Sequence, residues 1–336
     1  MPDRRVASLI ALAALAFGFA IEMGPVGTVI GEAVAWAITW AAEPLLWLAG
    51  LDVVRQGTEL RSEAGWAVRV SEVCDGMGLV VVLGAFLAAL GLRRGRDWVL
   101  RRLLIGLLAI QMFNLFRVLV LTLALNGWPE VFGHLHDRLF PLLTVLLFGA
   151  LLLPLTRLAI FAALAVALTL LWTPIAGAVS ALLVPPANLI LSLAGPSEVG
   201  TIAQNGEAWS VGTRFLAGTD PLRLFRAPFE PRHFTLAMPV ILTAVLMARG
   251  PLWLVLALAL MLLAICVAAS VAVLNLGAGL AQPTVLLPKA DGSFLASDYA
   301  TPEGLLAGLR LLQNVVVHFL LLLLPFLVLD GREAAE

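Results

Sequence analysis

Long apolar runs dominate the chain, broken by short arginine-bearing turns and by three longer stretches rich in Gly, Pro and charge. A helix crosses a bilayer with ~20 apolar residues, and eight stretches approach that length: near Val6–Glu22, Cys74–Leu92, Leu103–Leu125, Leu139–Leu155, Leu158–Ile175, Phe234–Met247, Leu252–Leu274 and Val315–Leu329. Two further apolar stretches read differently. Ile30–Ala49 carries Glu32, Glu43 and Pro44 among Trp36, Trp40 and Trp47, a mixture that suits a helix lying at the membrane interface. Leu182–Leu193 is treated in the same way. The predicted fold is an all-α polytopic membrane protein of about eight transmembrane helices, with interfacial helices and short hairpin-like segments on the outer face. Residues 52–73 alternate in polarity around Gly57 and Gly65, which predicts a short β-hairpin there.

Charge gives the direction of each crossing. Arg93, Arg94, Arg96, Arg101 and Arg102 cluster between two spans and mark a cytoplasmic face. Arg4 and Arg5 precede the first span, so both termini are expected inside and the segments 51–73, 195–232 and 276–312 outside. A cleaved signal peptide is the rival reading of the first span, although no small-x-small cleavage site follows it. If Ile30–Ala49 crossed the membrane as a return span, Cys74 would fall inside and the arginine cluster outside, against the charge rule.

Composition agrees with this class. The chain is 61% hydrophobic and 13% charged, with a formal net charge of −1, against about 25% charged residues in soluble domains. The basic residues form one cluster at a membrane boundary rather than a groove, which argues against nucleic acid as a partner. Two cysteines exclude a disulfide framework, and Cys266 lies within an apolar run as a packing residue. No His/Cys/carboxylate spacing suggests a metal, no phosphate or dinucleotide loop occurs, and no cofactor is implied.

Chemistry concentrates at one level of the predicted bundle. Cys74 opens a span at the outer face, where helix-start N–H groups and the dipole favour a thiolate. Arg117 lies in the outer half of the next span, with Asn114 one turn before it. An arginine in hydrocarbon faces a cavity or a partner, or else snorkels to the surface. His134 and His136 open the span after that, beside Asp137 and Arg138.

These residues resemble a known family. Cys74-Asp75-Gly76 opening a helix, Asn114-x-x-Arg117 in the next, and His136 opening a third are similar to the exosortase/archaeosortase family of membrane-embedded cysteine transpeptidases. The stretch Ile105-Gly106-x-x-Ala109-Ile110-Gln111-x-x-Asn114-Leu115-x-Arg117-Val118, with Phe132 four residues before His136, is closest to the exosortase H subgroup, and its spacing favours His136 over His134. The resemblance implies a sorting enzyme of the bacterial inner (cytoplasmic) membrane with its active site on the outer, periplasmic face. Its partners would be the lipid bilayer, exported proteins ending in a motif, a transmembrane helix and a basic tail, and a surface acceptor.

In that chemistry Cys74 is the nucleophile, Arg117 the oxyanion donor and His136 the acid/base. Asn114, Gly76 and Asp137 support them, with Asp137 placed to orient the imidazole. Asp75 departs from the family's small neutral residue at that position. Its carboxylate either raises the thiol pKa or caps the helix and points away from sulfur.

The expected domains are 1–157, the exosortase-like catalytic half, and 158–336, an additional membrane half. Leu45–Gly50 resembles Leu189–Gly195, and Thr219-Asp220 follows Gly195 at the distance at which Cys74-Asp75 follows Gly50. A degenerate duplication and chance similarity between apolar sequences are both compatible with this match. Two functional rivals remain at this stage: an inactive membrane scaffold or transporter-like protein, and a membrane protease that hydrolyses without transfer.

Overall fold

The computed structural model describes residues 4–70, 75–172, 174–194, 200–205, 208–217, 223–229, 235, 237–248, 252–281, 284–288, 293–298 and 302–333. Cys74 and Thr219-Asp220 lie outside them. The chain separates into two compact units, Met1–Ala165 with Leu321–Glu336, and Val166–Leu320.

The first unit opens with α1 (Arg4–Glu22) and α2 (Pro25–Leu48), separated only by Met23 and Gly24. A three-stranded antiparallel meander follows: β1 (Val53–Gln56), β2 (Glu59–Ser62) and β3 (Ala67–Arg69). The β1–β2 turn is the two-residue loop Gly57-Thr58, closed by the pair Gln56↔Glu59, and Gly57 has φ 65°. Such tight hairpin turns need positive φ, which glycine adopts without strain. The expected hairpin is therefore present, with a third strand added at Gly65.

Next come α3 (Met77–Arg94), α4 (Arg96–Gly127) and α5 (Pro129–His134). A π-helical segment, Leu135–Leu139, runs from α5 into α6 (Phe140–Leu152). Small residues let the first helices approach closely. A methyl on Gly18 of α1 would overlap Val81 of α3, and one on Gly106 of α4 would overlap Leu83 of α3.

Contacts along α4 fix the direction of α2. The Asp75 carboxylate lies against Gly31 near the start of α2, while Gly76 lies against Ile110 and Asn114. Further along, Ala35, Ile38, Ala42 and Leu46 of α2 share a core with Leu115, Val118, Leu119 and Leu123 of α4, together with Val53, Leu60 and Val70 of the meander. α2 thus runs in the same sense as the second half of α4. The end of α1, a few residues before Gly31, lies close to the start of α3, so α1 and α3 are antiparallel. α1 and α2 consequently follow one another in one direction and make no hairpin. Ile30–Ala49 belongs to a 24-residue helix long enough to cross a membrane, yet that helix does not return along α1.

The polar residues of α2 hold the sheet. Glu43 Oε1 accepts from Arg55 N at 3.0 Å, Thr39 Oγ1 donates to Gly57 O at 3.1 Å, and Trp47 Nε1 donates to Val53 O at 2.8 Å. Trp66 Nε1 reaches Asn126 Oδ1 at the end of α4, at 3.3 Å. In the C-terminal segment of this unit, α12 (Leu324–Glu333) places Phe326 against Phe86 and Phe161.

The second unit contains all of α8, α9, α10 and α11 and the remaining strands. α7 (Leu155–Trp172) enters it and is followed by α8 (Ala176–Ala194), β4 (Ile202–Asn205), β5 (Ala208–Ala217) and β6 (Arg223–Pro228). Then come α9 (Ala237–Ala248), α10 (Leu252–Ala281), β7 (Thr284–Pro288), β8 (Phe294–Asp298) and α11 (Glu303–His318), the last leading into a second π segment, Phe319–Leu323. β4, β5 and β6 form an antiparallel meander, and β7 joins β5 at Phe215↔Val285 and pairs with β8. Leu182–Leu193, expected as an interfacial stretch, lies within the 19-residue α8. Asn188 on α8 holds both backbone groups of Ile202 in β4, and α10 packs against α8, α9 and α11.

Seven helices among the described residues are long and apolar enough to cross a membrane, and three shorter apolar helices accompany them. The protein is an all-α polytopic membrane protein in which short strands join the helices.

Candidate active site

The site lies where α3 begins beside the middle of α4. Gly76 precedes α3 with φ 81°, a left-handed conformation that costs a side-chain-bearing residue about 1–2 kcal/mol. Space is also tight, because a methyl there would sit 3.3 Å from Asn114 Nδ2 and 3.4 Å from Ile110 Cγ2. Asn114 is buried. Gly76, two residues after Cys74 in the sequence, is therefore the point at which the chain entering α3 meets α4.

Asp75, one peptide bond from Cys74, is buried as well. Its Oδ1 accepts from Met77 N, the first amide of α3, at 2.7 Å, and its Oδ2 lies against Gly31. Asp75 thus accepts a backbone N–H at the start of α3, while its relation to the Cys74 sulfur lies outside the described residues. Gly31 had no signal in the sequence, because it is brought to Asp75 from another helix.

One turn beyond Asn114, Arg117 Nη2 stands 3.1 Å from His136 Nε2. Guanidinium only donates, so Nε2 is the acceptor and the ring proton belongs on Nδ1. Nδ1 then donates to Asp137 Oδ1 at 2.7 Å. Asp137 is the direct neighbour of His136, and the π turn brings their side chains together. The extra residue of a π segment re-aims side chains and recurs at functional sites.

Two rings fix this pair. Phe132, one helical turn before His136, stacks on the imidazole at 5.8 Å with an interplanar angle of 14°. Phe140 lies beneath the Arg117 guanidinium at 5.9 Å and meets Phe113 and Phe116 edge-on. Arg117 Nε is buried and has no hydrogen-bond partner. Arg117 therefore neither snorkels free nor pairs with a carboxylate among the described residues.

His134 and His136 belong to one continuous helical stretch rather than to a loop, since Pro129 starts the helix at its first position. His134 is exposed and outside the Arg117 cluster. The structure thus forms two groups on α4: Asp75, Gly76 and Asn114 at one level, then Arg117, His136 and Asp137 one turn further. Cys74, the residue before Asp75 in the chain, is outside the described residues. Among the described residues no group of three or more His, Cys, Asp or Glu could hold a metal ion.

Residues 3–155 match the family described as transmembrane exosortase. This half of the chain is an exosortase domain. The match contains every candidate site residue, from Cys74 to Asp137, and ends close to the start of α7. No curated protein and no solved structure matches the chain. In the exosortase domain α2, α4 and the run from α5 through α6 are long and apolar enough to cross a membrane, and Gly76 and His136 meet α4 at Asn114 and Arg117.

Proposed function

We propose that this protein is a membrane-embedded cysteine transpeptidase that processes exported proteins carrying a C-terminal motif, a transmembrane helix and a basic tail. The observation that carries the reading is the Arg117–His136–Asp137 relay, held one turn beyond the contact between Asn114 and Gly76, two residues after Cys74 in the sequence.

The Cys74 thiolate attacks the scissile carbonyl, whose oxygen becomes the oxyanion. Arg117 supplies N–H donors to it, with Nε already free of protein partners. A substrate carbonyl that draws Arg117 also uncovers His136 Nε2, which takes the thiol proton and so generates the attacking thiolate. His136 returns that proton to the leaving amine as the C–N bond breaks, leaving the N-terminal part of the substrate as a thioester on Cys74. An acceptor nucleophile, deprotonated by His136, attacks the thioester and releases the thiol. Asp137 holds the ring with Nε2 toward the reaction.

The arginine cluster gives the depth. At 1.5 Å per residue, Arg117 lies ~22 Å along α4 from Arg102, within the outer half of a ~30 Å hydrocarbon layer. In this reading the exosortase domain sits in the inner membrane with its site opening outward, just below the surface at which a substrate's motif meets its transmembrane helix. The β1–β3 sheet and the exposed Trp36, Trp40 and Trp47 lie further outward, at interface level. We assign residues 158–336 the role of a catalytically inert membrane partner that repeats the helix-and-sheet frame of the first half.

The test is an immunoblot of an exported protein from the same organism with such a C-terminal tail. In a Cys74→Ala strain the uncut form accumulates. Arg117→Ala and His136→Ala behave likewise, and His134→Ala does not. Unchanged processing by Cys74→Ala at normal membrane levels would exclude the reading for that substrate.

A further inference from the structure

Gln111 is a polar side chain on α4 that the chemistry above does not use. Its Oε1 is buried and has no hydrogen-bond partner, as is true of Arg117 Nε two turns away. Leaving a buried acceptor unpaired costs about 1–3 kcal/mol, and no nearby water relieves the cost within hydrocarbon. Such an atom persists where something outside the folded chain completes it.

Gln111, Asn114 and Arg117 follow one another at three-residue steps on a helix that is otherwise apolar from Leu103 to Val120. Each step turns the helix by about 300°, so the three cover only about 120° of its circumference and climb about 9 Å. They form one polar stripe. Its upper end is the cation at His136, its middle rests on Gly76, and its lower end is the unpaired acceptor.

Resting on the proposed function, we infer that Gln111 is a substrate-positioning residue. It accepts a main-chain N–H on the leaving side of the scissile bond, where the substrate's motif runs into its transmembrane helix. Donors of this kind are available there, because the first four N–H groups of any helix lack intrahelical partners. The distance agrees too. With the scissile carbonyl at Arg117, three residues of extended chain at ~3.3 Å each descend the ~9 Å to Gln111. The substrate enters antiparallel to α4, its motif outward and its helix inward.

The test uses the full-length protein in nanodiscs with a synthetic peptide comprising the C-terminal motif, transmembrane helix and basic tail of an exported protein from the same organism. Gln111→Leu and Gln111→Met keep the side chain's bulk and remove its acceptor. The expected result is a KM about tenfold higher, with kcat changed less than threefold and Tm equal to wild type or higher, because an unpaired polar atom has been removed. An unchanged KM in both variants would overturn the inference. A fall in Tm in both would overturn it as well, since Gln111 would then be serving the fold. Cys74→Ala, run in parallel, separates this inference from the reading beneath it. If that variant cleaves the peptide at the wild-type rate, the proposed function fails and the inference fails with it. If Cys74→Ala is inactive while the Gln111 variants keep the wild-type KM, only the inference fails.

Discussion

In the exosortase domain, two helices lead into a three-stranded meander, a helix, a long helix, and then a helix interrupted by a π segment. From α7 onward the same order recurs: two helices, the β4–β6 meander, α9, the long α10 and, after the β7–β8 hairpin, α11 with its π segment. In each case a polar side chain of the second helix holds the first strand. Glu43 takes Arg55 N, and Asn188 takes both backbone groups of Ile202. Glu43 and Asn188 are each seven residues before the glycine, Gly50 or Gly195, that ends the matched stretch.

The two regions part at the long helix. α4 carries Gln111, Asn114 and Arg117, whereas α10 has no charged residue. The buried Asn275 of α10 uses its amide on Val271 O and Gly200 N, within its own unit. Thr219-Asp220, matched to Cys74-Asp75 by spacing, falls between β5 and β6, whereas Cys74 falls between β3 and α3. The interval corresponding to Cys74 is instead 229–236, which contains no cysteine. The two regions therefore share an order of helices and strands without sharing the polar side chains of the long helix.

The largest test of this contrast sets Cys74→Ala against a change in the other half. Cys74→Ala should cut processing at least about a thousandfold, as loss of a catalytic nucleophile does, without lowering Tm. Asn275→Ala should do the reverse. It strands Gly200 N and should cost about 1–3 kcal/mol of stability, read as a lower Tm, while each folded molecule processes at the wild-type rate. A catalytic loss in Asn275→Ala at unchanged stability would break the contrast.

Next in size is Gly76→Ala. It imposes left-handed strain of about 1–2 kcal/mol and crowds Asn114, displacing the chain two residues after Cys74. Displacements of about 1 Å at a reacting group can cost about 10²-fold in rate, and single-turnover kinetics should show a loss of at least about tenfold. Asn114→Ala should lose activity in the same direction, and wild-type rates in both would detach this contact from catalysis.

Smaller and symmetrical, Glu43→Ala and Asn188→Ala should each lower stability by about 1–3 kcal/mol by freeing a strand end. Hydrogen exchange should accelerate at Arg55 in the first variant and at Ile202 in the second. Exchange that changes in one sheet only would end the parallel between them.

The smallest effect is one of pH. Hydrogen bonds from Arg61, then Arg69, hold the Glu59 carboxyl below its usual value. A depressed folded-state pKa contributes stability above the unfolded value, and that contribution is lost as pH falls through the folded one. Amide protection in β2 and β3 should thus be constant near neutrality and decline below the ordinary glutamate range. In Glu59→Gln the decline should be absent.

The sequence by itself determined the membrane class, the position of most spans and the candidate trio, because apolar run length, arginine placement and motif order are local properties of a chain. It also held the four-residue spacing of Phe132 and His136, whose stacking only the structure revealed, and the turn glycines of the first meander. What only the tertiary structure decided depends on residues distant in the chain. Gly31 seats the Asp75 carboxylate, and Phe140 supports Arg117 from the facing helix. α2 continues the direction of α1 although its length allows it to cross, which is set by its packing on α4. The π segment aims His136 at Arg117 through backbone hydrogen bonds that no pattern of apolar positions records. Equal spacing placed Thr219 opposite Cys74, but strand pairing placed the corresponding interval after β6, because a meander fixes position by hydrogen-bond register rather than by residue count.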